Sequence, residues 1–160
     1  MTSEFYAKLT PFFHLIYEDW EASMNFQGDL LTDIIQAECG PSVKSILDVS
    51  CGIGTQSIAL ARRGFEVTAS DLSPEAVARA KKEAQARDLQ ISFSVCDMRA
   101  VHSHHGGGFD VVICAGNAIP HLLSDSEILT ALGEMLACLR PGGGCLITMR
   151  QYDQEERGTG

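Results

Sequence analysis

The segment ILDVSCGIGTQSIALARRG, at residues 46–64, limits the possible folds more than any other part of the chain. A short apolar run leads into a loop with Gly52 and Gly54, and an apolar helical stretch follows and stops at Gly64. Without a β-carbon at the two loop glycines, the backbone can turn sharply and approach a ligand closely. Strand, glycine loop and helix in this order predict a parallel βαβ unit with a ligand at the start of the helix.

The alternation of strands and helices continues along the rest of the chain. Apolar or alternating runs predict further strands at residues 65–69, 91–95, 109–114 and 145–149, and helices at residues 73–87 and 125–139. Such units predict a doubly wound, mostly parallel α/β sheet whose ligand lies beyond the carboxyl ends of the strands.

Two segments lie outside this alternation. Residues 12–38 have apolar side chains mostly three and four positions apart, which predicts two helices broken near Gly28. The HSHHGGG segment, residues 102–108, predicts a flexible polar loop, because no carboxylate or cysteine stands at metal-ligand spacing beside its histidines.

Length and composition fit one globular domain over residues 1–160. Hydrophobic residues make up 45% of the chain and charged residues 21%, which leaves enough apolar side chain to bury a core. We assign N-terminal helices to residues 1–40, the α/β core to residues 43–150 and a tail to residues 151–160.

Charge and cysteine usage narrow the class of partner. The formal net charge of -9 repels polyanions, and no basic stripe offsets it, so we expect no nucleic-acid partner. The six cysteines are isolated from one another in the sequence, which favours a reducing compartment and gives no metal-site spacing. No stretch approaches the ~20 apolar residues of a membrane span. We therefore expect a soluble, cytoplasmic protein.

Acidic residues follow three of the predicted strands. Asp48 suits a ligand with a positively charged amine, Asp71 can accept hydrogen bonds from both hydroxyls of a ribose, and Asp97 can accept from an adenine amino group. Each could instead be a turn or cap residue, but together they favour a nucleoside ligand. A dinucleotide site would have glycine where Ser57 stands, which counts against NAD.

Five segments resemble, in order and spacing, the successive motifs of class I methyltransferases that use S-adenosylmethionine (AdoMet). They are ILDVSCGIGT, VTASDLS, VCDMRAV, FDVVICAGNAIPHL and LRPGGGCLITM, which together span most of residues 43–150. The resemblance implies a Rossmann-like methyltransferase fold with an N-terminal helical lid, AdoMet as the cofactor and S-adenosylhomocysteine as the product.

The same resemblance implies a set of cofactor-binding residues. Asp71 would hold the ribose and Asp97 the adenine, while Ser50 stands where the family usually has glycine. Tyr17 and Trp20 resemble lid aromatics, although the same residues would also pack an amphipathic helix on the core. The full set is Tyr17, Trp20, Asp48, Ser50, Gly52, Gly54, Asp71, Leu72, Cys96, Asp97, Met98, Gly116 and His121.

A narrower resemblance concerns the methyl acceptor. CAGNAIPHL and ITMRQYD look like segments of glycine and sarcosine N-methyltransferases in which an asparagine and an arginine hold the amino-acid substrate. Asn117 would then meet the substrate, and Arg150 would pair with its carboxylate through two parallel hydrogen bonds. The residues alone also allow Arg150 to be a surface cation at a strand end. The implied acceptor is the amine of a glycine-like small molecule.

Two other functions stay open. One is an AdoMet-binding fragment or module without turnover of its own, and the less favoured one is a nicotinamide-dependent oxidoreductase. Proteins of the resembled fold generally continue into a further helix and an antiparallel hairpin, so the chain looks truncated after its fifth strand. We therefore expect the fifth strand to be an exposed sheet edge through which the chain self-associates.

Overall fold

A parallel five-stranded sheet forms the centre of the molecule. The computed structural model describes residues 8–151. The strands are β1 (Ser45–Asp48), β2 (Glu66–Asp71), β3 (Ser92–Val95), β4 (Phe109–Cys114) and β5 (Leu139–Ile147), in the order β3-β2-β1-β4-β5. All four strand pairings are parallel. The strand order reverses between β1 and β4, which confirms the doubly wound sheet and places the ligand crevice beside β1.

Helices lie on both faces of this sheet. They are α1 (Trp20–Cys39), α2 (Thr55–Ala61), α3 (Pro74–Gln85), α4 (Val101–His105) and α5 (Asp125–Cys138), with short 3-10 helices at Thr10–Ile16, Met98–Ala100 and Ile119–His121. The side chains of Asp19, Ser73 and Ser124 cap α1, α3 and α5, because each accepts a hydrogen bond from a backbone N–H of the first turn. Among the described helices, none combines the length and apolarity needed to cross a membrane.

The alternation of side chains along β1 and β4 divides the core in two. On one face, Ile46 and Ile113 pack with apolar residues of α1 and α2, and on the other, Leu47 and Val112 pack with residues of α5. These four strand residues are fully buried. Burial on both faces explains why the two strands appear in the sequence as continuous apolar runs.

The predicted break near Gly28 is wrong, because α1 runs without interruption from Trp20 to Cys39. Gly28 is buried against α2, and a β-carbon there would meet the guanidinium of Arg63 and the methyl group of Ala59. This glycine therefore allows two helices to approach closely rather than ending one of them.

The N-terminal lid stays a prediction, which the structure limits to the residues before the C-terminal half of α1. Leu31 and Ile35, in the C-terminal half of α1, are buried in the cluster that contains Ile46 and Val111 of the sheet. This half of α1 is therefore a layer of the core rather than a cover over a crevice.

Two further segments differ from their predictions. The loop expected at residues 102–108 begins as the short helix α4, which the fully buried Val101 anchors and whose His102 N–H donates to Glu134 of α5 at 2.9 Å. The strand expected from residue 145 begins at Leu139, which pairs with Phe109, and after a register shift the pairing with β4 resumes at Gly144, opposite Val111. A β-carbon on Gly143 would lie 2.8 Å from the carbonyl oxygen of Asp110.

Candidate active site

Asp48, the last residue of β1, is a fully buried carboxylate beside the glycine loop. Its Oδ2 accepts a hydrogen bond of 2.6 Å from the Ser57 hydroxyl, and its Oδ1 accepts one of 3.2 Å from the Ser50 amide. Burial and, to a smaller extent, the nearby Asp71 carboxylate raise the pKa of the Asp48 carboxyl to about 6, although the two hydrogen bonds lower it. A buried carboxylate of this kind is poised to receive a cation.

The two loop glycines serve different purposes. Gly54 has a φ of 95°, and a β-carbon there would lie 3.1 Å from Ile58 and 3.2 Å from Ala80, so this residue permits α2 to pack against α3. Gly52 has a φ of 52°, and the space where its β-carbon would stand is empty to at least 4 Å. Gly52 therefore presents open space at the start of α2, where backbone N–H groups point outward.

Asp71, the last residue of β2, ties the glycine loop to the start of α3. Its Oδ2 accepts from the Gly52 amide at 2.8 Å, and its Oδ1 accepts from the Ser73 amide at 2.9 Å. Burial raises the pKa of the Asp71 carboxyl. Because a carboxylate has about four acceptor positions, each oxygen retains capacity for a further donor.

Asp97, after β3, accepts hydrogen bonds from Arg99, two residues further along the chain. The Arg99 amide donates to Asp97 Oδ1 at 2.9 Å, and the Arg99 guanidinium donates to both carboxylate oxygens. These hydrogen bonds hold the pKa of Asp97 below its usual value. Arg99 also pairs with Glu127 of α5, so the side chain joins the end of β3 to the opposite layer. The predicted contact of Asp97 with adenine must therefore compete with Arg99.

The loop after β4 carries the predicted substrate residue Asn117. Gly116 and Asn117 both have left-handed backbone, with φ values of 72° and 67°. The Asn117 Oδ1 accepts from the backbone N–H of Arg150 at 3.2 Å, and the Gly116 amide donates to the Thr148 hydroxyl at 3.1 Å. Asn117 is half-buried, whereas Arg150 and His121 are exposed. The structure thus brings Asn117 and Arg150 together at the ends of β4 and β5.

The N-terminal aromatics stand apart from the strand ends. The Trp20 indole donates to the Thr55 hydroxyl at 3.0 Å, and the centroid of its ring lies 5.7 Å from the guanidinium carbon of Arg79 in α3 and 5.3 Å from that of Arg87, which follows α3. Tyr17 lines an open cavity of about 540 Å³ formed by residues 16–19, 22 and 23 of the N-terminal segment. Trp20 therefore has a packing position, and a cofactor contact of either residue stays a prediction.

Apolar side chains border the crevice between β2 and β3. Leu72, directly after Asp71, is 62% exposed, and Val95 at the end of β3 is 46% exposed. Met98 is half-buried at the start of the short helix that follows. Exposed apolar groups of this size beside polar strand ends form a surface on which a flat ring can stack.

The thiols near the crevice are not activated. Burial raises the pKa of the Cys51 and Cys96 thiols and raises that of Cys114 to about 11. Because the thiolate is the nucleophilic form, none of these three cysteines is suited to attack a substrate. Within residues 8–151 there is also no group of three or more His, Cys, Asp or Glu side chains that could hold a metal ion.

Comparison with known proteins identifies the family. Residues 46–143, from the first strand to the glycine turn in β5, match the model of the methyltransferase domain. The chain belongs to this family. The methyltransferase resemblance and the Rossmann-like fold drawn from the sequence are thereby confirmed.

The relatives of this methyltransferase domain act on different acceptors. It is 35% identical to a glycine/sarcosine N-methyltransferase of Parasynechococcus marenigrum over 85% of this chain and 47% of the relative. It is 37% identical to a ubiquinone biosynthesis O-methyltransferase of Psychrobacter arcticus over 70% of this chain and 43% of the relative. The chain therefore spans about half the length of the curated relatives it matches.

Solved structures agree with this assignment. The AdoMet-bound structure of CalS10, an amino pentose methyltransferase from Micromonospora echinaspora, superposes with a TM-score of 0.72 and is 28% identical. The match covers 79% of this chain and 51% of that one.

Three residues of the methyltransferase domain were missed by the sequence reasoning. Ser57 entered only as an argument against a dinucleotide, yet its hydroxyl is the short donor to Asp48. Arg99 and Thr148 were not considered at all. Of the three, only Arg99 was detectable from the sequence, because it stands two residues after Asp97, a spacing at which an aspartate often accepts from the backbone.

Proposed function

We propose that this chain binds AdoMet at the carboxyl ends of β1, β2 and β3 and takes part in methyl transfer to a small-molecule amine. The observation that carries the proposal is the convergence of Asp48, Gly52 and Asp71 on one crevice. The first is a buried carboxylate, the second leaves space beside a helix start, and the third has spare acceptor capacity.

Asp48 supports binding of the methionine end of AdoMet. Burial disfavours the ionised form of Asp48, and within the protein the hydrogen bonds from Ser57 and Ser50 offset part of this cost. An ammonium group close to the carboxylate would offset it further. The ordinary alternative, in which Asp48 only closes the strand, does not require a carboxyl whose pKa is raised to about 6.

Asp71 and the apolar border support binding of the nucleoside. Backbone donors to Asp71 come from Gly52, Leu72 and Ser73, and because a carboxylate has about four acceptor positions, capacity remains for a ribose hydroxyl. Leu72 and Val95 offer exposed apolar surface for the adenine ring. Asp97 is the weakest member of the set, because Arg99 already donates to both of its oxygens.

The acceptor is proposed to be the amine of a glycine-like molecule. Asn117 and Arg150 adjoin each other, and the exposed guanidinium of Arg150 suits a carboxylate in a bidentate geometry. Similarity to glycine/sarcosine N-methyltransferases over 85% of this chain supports an amine. Similarity to an O-methyltransferase at comparable identity makes a hydroxyl the second candidate.

Bound AdoMet supplies a reactive sulfonium methyl group. The chain's own contribution would be alignment: Asp48 and Asp71 fix one reactant, and Arg150 fixes the other. Alignment and exclusion of water can lower a barrier by ~7–11 kcal/mol, which a methyl transfer of this kind can use without a general base.

The test is calorimetric titration of the chain with AdoMet, S-adenosylhomocysteine and NAD. We expect binding of the first two and none of the third. Asp71→Ala should abolish that binding, whereas Asp33→Ala, which removes an exposed carboxylate of α1, should leave the affinity unchanged. Binding of NAD, or full affinity in Asp71→Ala, would contradict the proposal.

An acceptor screen with glycine and sarcosine follows. Arg150→Ala should weaken binding of the acceptor while AdoMet affinity stays nearly intact.

A second candidate is an AdoMet-binding module without turnover of its own. The chain spans about half the length of its curated relatives, so more than half of each relative lies outside the matched span. Binding without methylation of any amine in the screen would favour this candidate.

The outer side of β5 is the proposed interface for self-association. Within residues 8–151, β5 pairs with β4 on one side and with no strand on the other. Unpaired backbone groups of an edge strand can pair with those of a second copy. Light scattering should give a dimer or larger species, and a monodisperse monomer would refute this interface.

The six cysteines are free, which supports a reducing compartment such as the cytoplasm.

A further inference from the structure

The loop after β4 has a backbone that needs external support. Gly116 and Asn117 have consecutive left-handed conformations, with φ values of 72° and 67°. Glycine adopts this region freely, but at Asn117 the side chain disfavours it and only its short polar group makes it tolerable. Such a conformation persists where surrounding contacts determine it.

Hydroxyl groups from both neighbouring strand ends contact this loop. On the β1 side, the Ser50 hydroxyl donates to the carbonyl oxygen of Ala115 at 3.2 Å. On the β5 side, the Thr148 hydroxyl accepts from the Gly116 amide at 3.1 Å. The Thr148 amide in turn donates to the Cys114 carbonyl at 3.1 Å, which fixes Thr148 itself to the end of β4.

We propose that Thr148 is a positioning residue for the methyl acceptor. By holding the Gly116 amide, it fixes the turn from which Asn117 reaches the backbone N–H of Arg150 at 3.2 Å. Thr148 thereby sets the separation of the two residues proposed to bind the acceptor, without contacting the acceptor or the cofactor. This inference rests on the proposed function.

Ser50 completes the arrangement from the other side. Where the family usually has glycine, this chain has a hydroxyl that links the glycine loop to the β4 loop. The Ser50 hydroxyl contacts Ala115, and the Thr148 hydroxyl contacts the next residue, Gly116. The β4 loop is thus held between the cofactor side and the acceptor side of the crevice.

The test compares Thr148→Val, which keeps the shape and removes the hydroxyl, with Thr148→Ser, which keeps the hydroxyl. Amide hydrogen exchange at Gly116 should be about tenfold faster in the valine variant, the factor expected for loss of one hydrogen bond, and near normal in the serine variant. Thr130→Val is the matched control, because its hydroxyl donates within α5 to Ser126 at 2.8 Å and is remote from the loop.

Acceptor binding is measured separately, by titrating glycine in the presence of S-adenosylhomocysteine and following chemical shifts. Thr148→Val should weaken glycine about fivefold or more and change the affinity for S-adenosylhomocysteine less than twofold. Unchanged exchange at Gly116 overturns the hydrogen-bond role, and faster exchange with unchanged glycine affinity overturns the positioning role. A wild-type chain that binds neither molecule refutes the proposed function and the positioning role together, whereas exchange at Gly116 still decides whether Thr148 holds the loop.

Discussion

Replacing Asp48 with asparagine should make the protein more stable and prevent it from binding AdoMet. Burial raises the pKa of the Asp48 carboxyl from 3.8 to about 6, so the folded state holds this proton more tightly than the unfolded state. At pH 7 the carboxyl is ionised in both states. With 1.36 kcal/mol per pKa unit, keeping the charge in the folded state costs about 3 kcal/mol.

Asparagine removes that cost and retains the contacts. Its Oδ1 can accept from the Ser50 amide, and its amide group can donate to the Ser57 hydroxyl, which now accepts instead of donating. We therefore expect Asp48→Asn to unfold with a free energy about 2–3 kcal/mol higher than the wild type at pH 7. In a domain of this size, that gain corresponds to a rise in Tm of roughly 5–10 °C.

The pH dependence gives the argument a second, independent check. A raised folded-state pKa means that wild-type stability recovers as the pH falls through about 6 towards the unfolded value of 3.8. The difference between Asp48→Asn and wild type should therefore shrink to about half at pH 5. Urea unfolding at both pH values can follow the fluorescence of Trp20, the single tryptophan of the chain.

Two results would refute this reasoning. An Asp48→Asn variant that is no more stable than wild type at pH 7 would mean that burial does not penalise the charge. A gain of equal size at pH 5 and pH 7 would mean that it arises from packing rather than ionisation. Asp33→Asn, at an exposed position of α1, controls for the change in net charge from -9. AdoMet titration then separates the roles, because the stabilised variant should lose the ammonium site.

Three further predictions follow from single contacts. Arg99→Ala should tighten AdoMet binding about threefold by freeing the Asp97 oxygens for the adenine amino group, and weaker binding in calorimetry would show that Arg99 assists instead. Burial lowers the pKa of His105 below 6.5, so wild-type stability should fall as the pH drops below 6.5, and His105→Leu should remove that component of the urea-unfolding profile. Gly28→Ala should destabilise the fold by about 1–2 kcal/mol through contact with Arg63, whereas a stabilised variant would indicate an exposed helix position.

The sheet was predictable because its signals are local. Ile46 and Leu47 are both buried, on opposite faces, and such strands appear as unbroken apolar runs between turn residues. The serine before Pro74 was a sufficient signal for the start of α3, and Ser73 caps that helix. In each case the physical cause lies within a few residues of its effect.

The errors arose where distant residues decide the local structure. Gly28 carries the local signature of a helix break, but its neighbour is Arg63, just after α2, which no periodicity in residues 12–38 reveals. The glycines before Cys145 lie at a register shift within β5, where Gly143 closely approaches the Asp110 carbonyl oxygen and pairing with β4 resumes at Gly144, so the strand starts earlier than the turn signal indicates. Helix and strand limits at these places depend on tertiary contacts, which override propensity.

The sequence was sufficient to predict the strand ends and the acidic residues of the candidate site, but not the hydrogen bonds that these residues make. Asp48 and Asp71 lie at strand ends because the apolar runs end there. The Ser57 hydroxyl and the Gly52 amide donate to these carboxylates, and the Thr148 hydroxyl accepts from the β4 loop, so all three partners come from other elements of the fold. Small hydroxyl and glycine residues give no periodic signal, so their partners emerge only with the structure.

Two aspartates at opposite ends of the sheet, Asp110 and Asp48, differ in the number of donors that the protein supplies to them. Asp110, near the amino end of β4, accepts from the Lys44 amide at 2.8 Å and the Ser45 amide at 2.9 Å, and it also pairs with Arg140. These donors hold the pKa of Asp110 well below its usual range, as expected for a carboxylate that serves structure. Asp48, at the carboxyl end of β1, is more deeply buried, has two donors and has a raised pKa. The fold satisfies an aspartate fully at one end of the sheet and leaves a costly carboxylate at the other, and we propose that a cationic ligand offsets this cost.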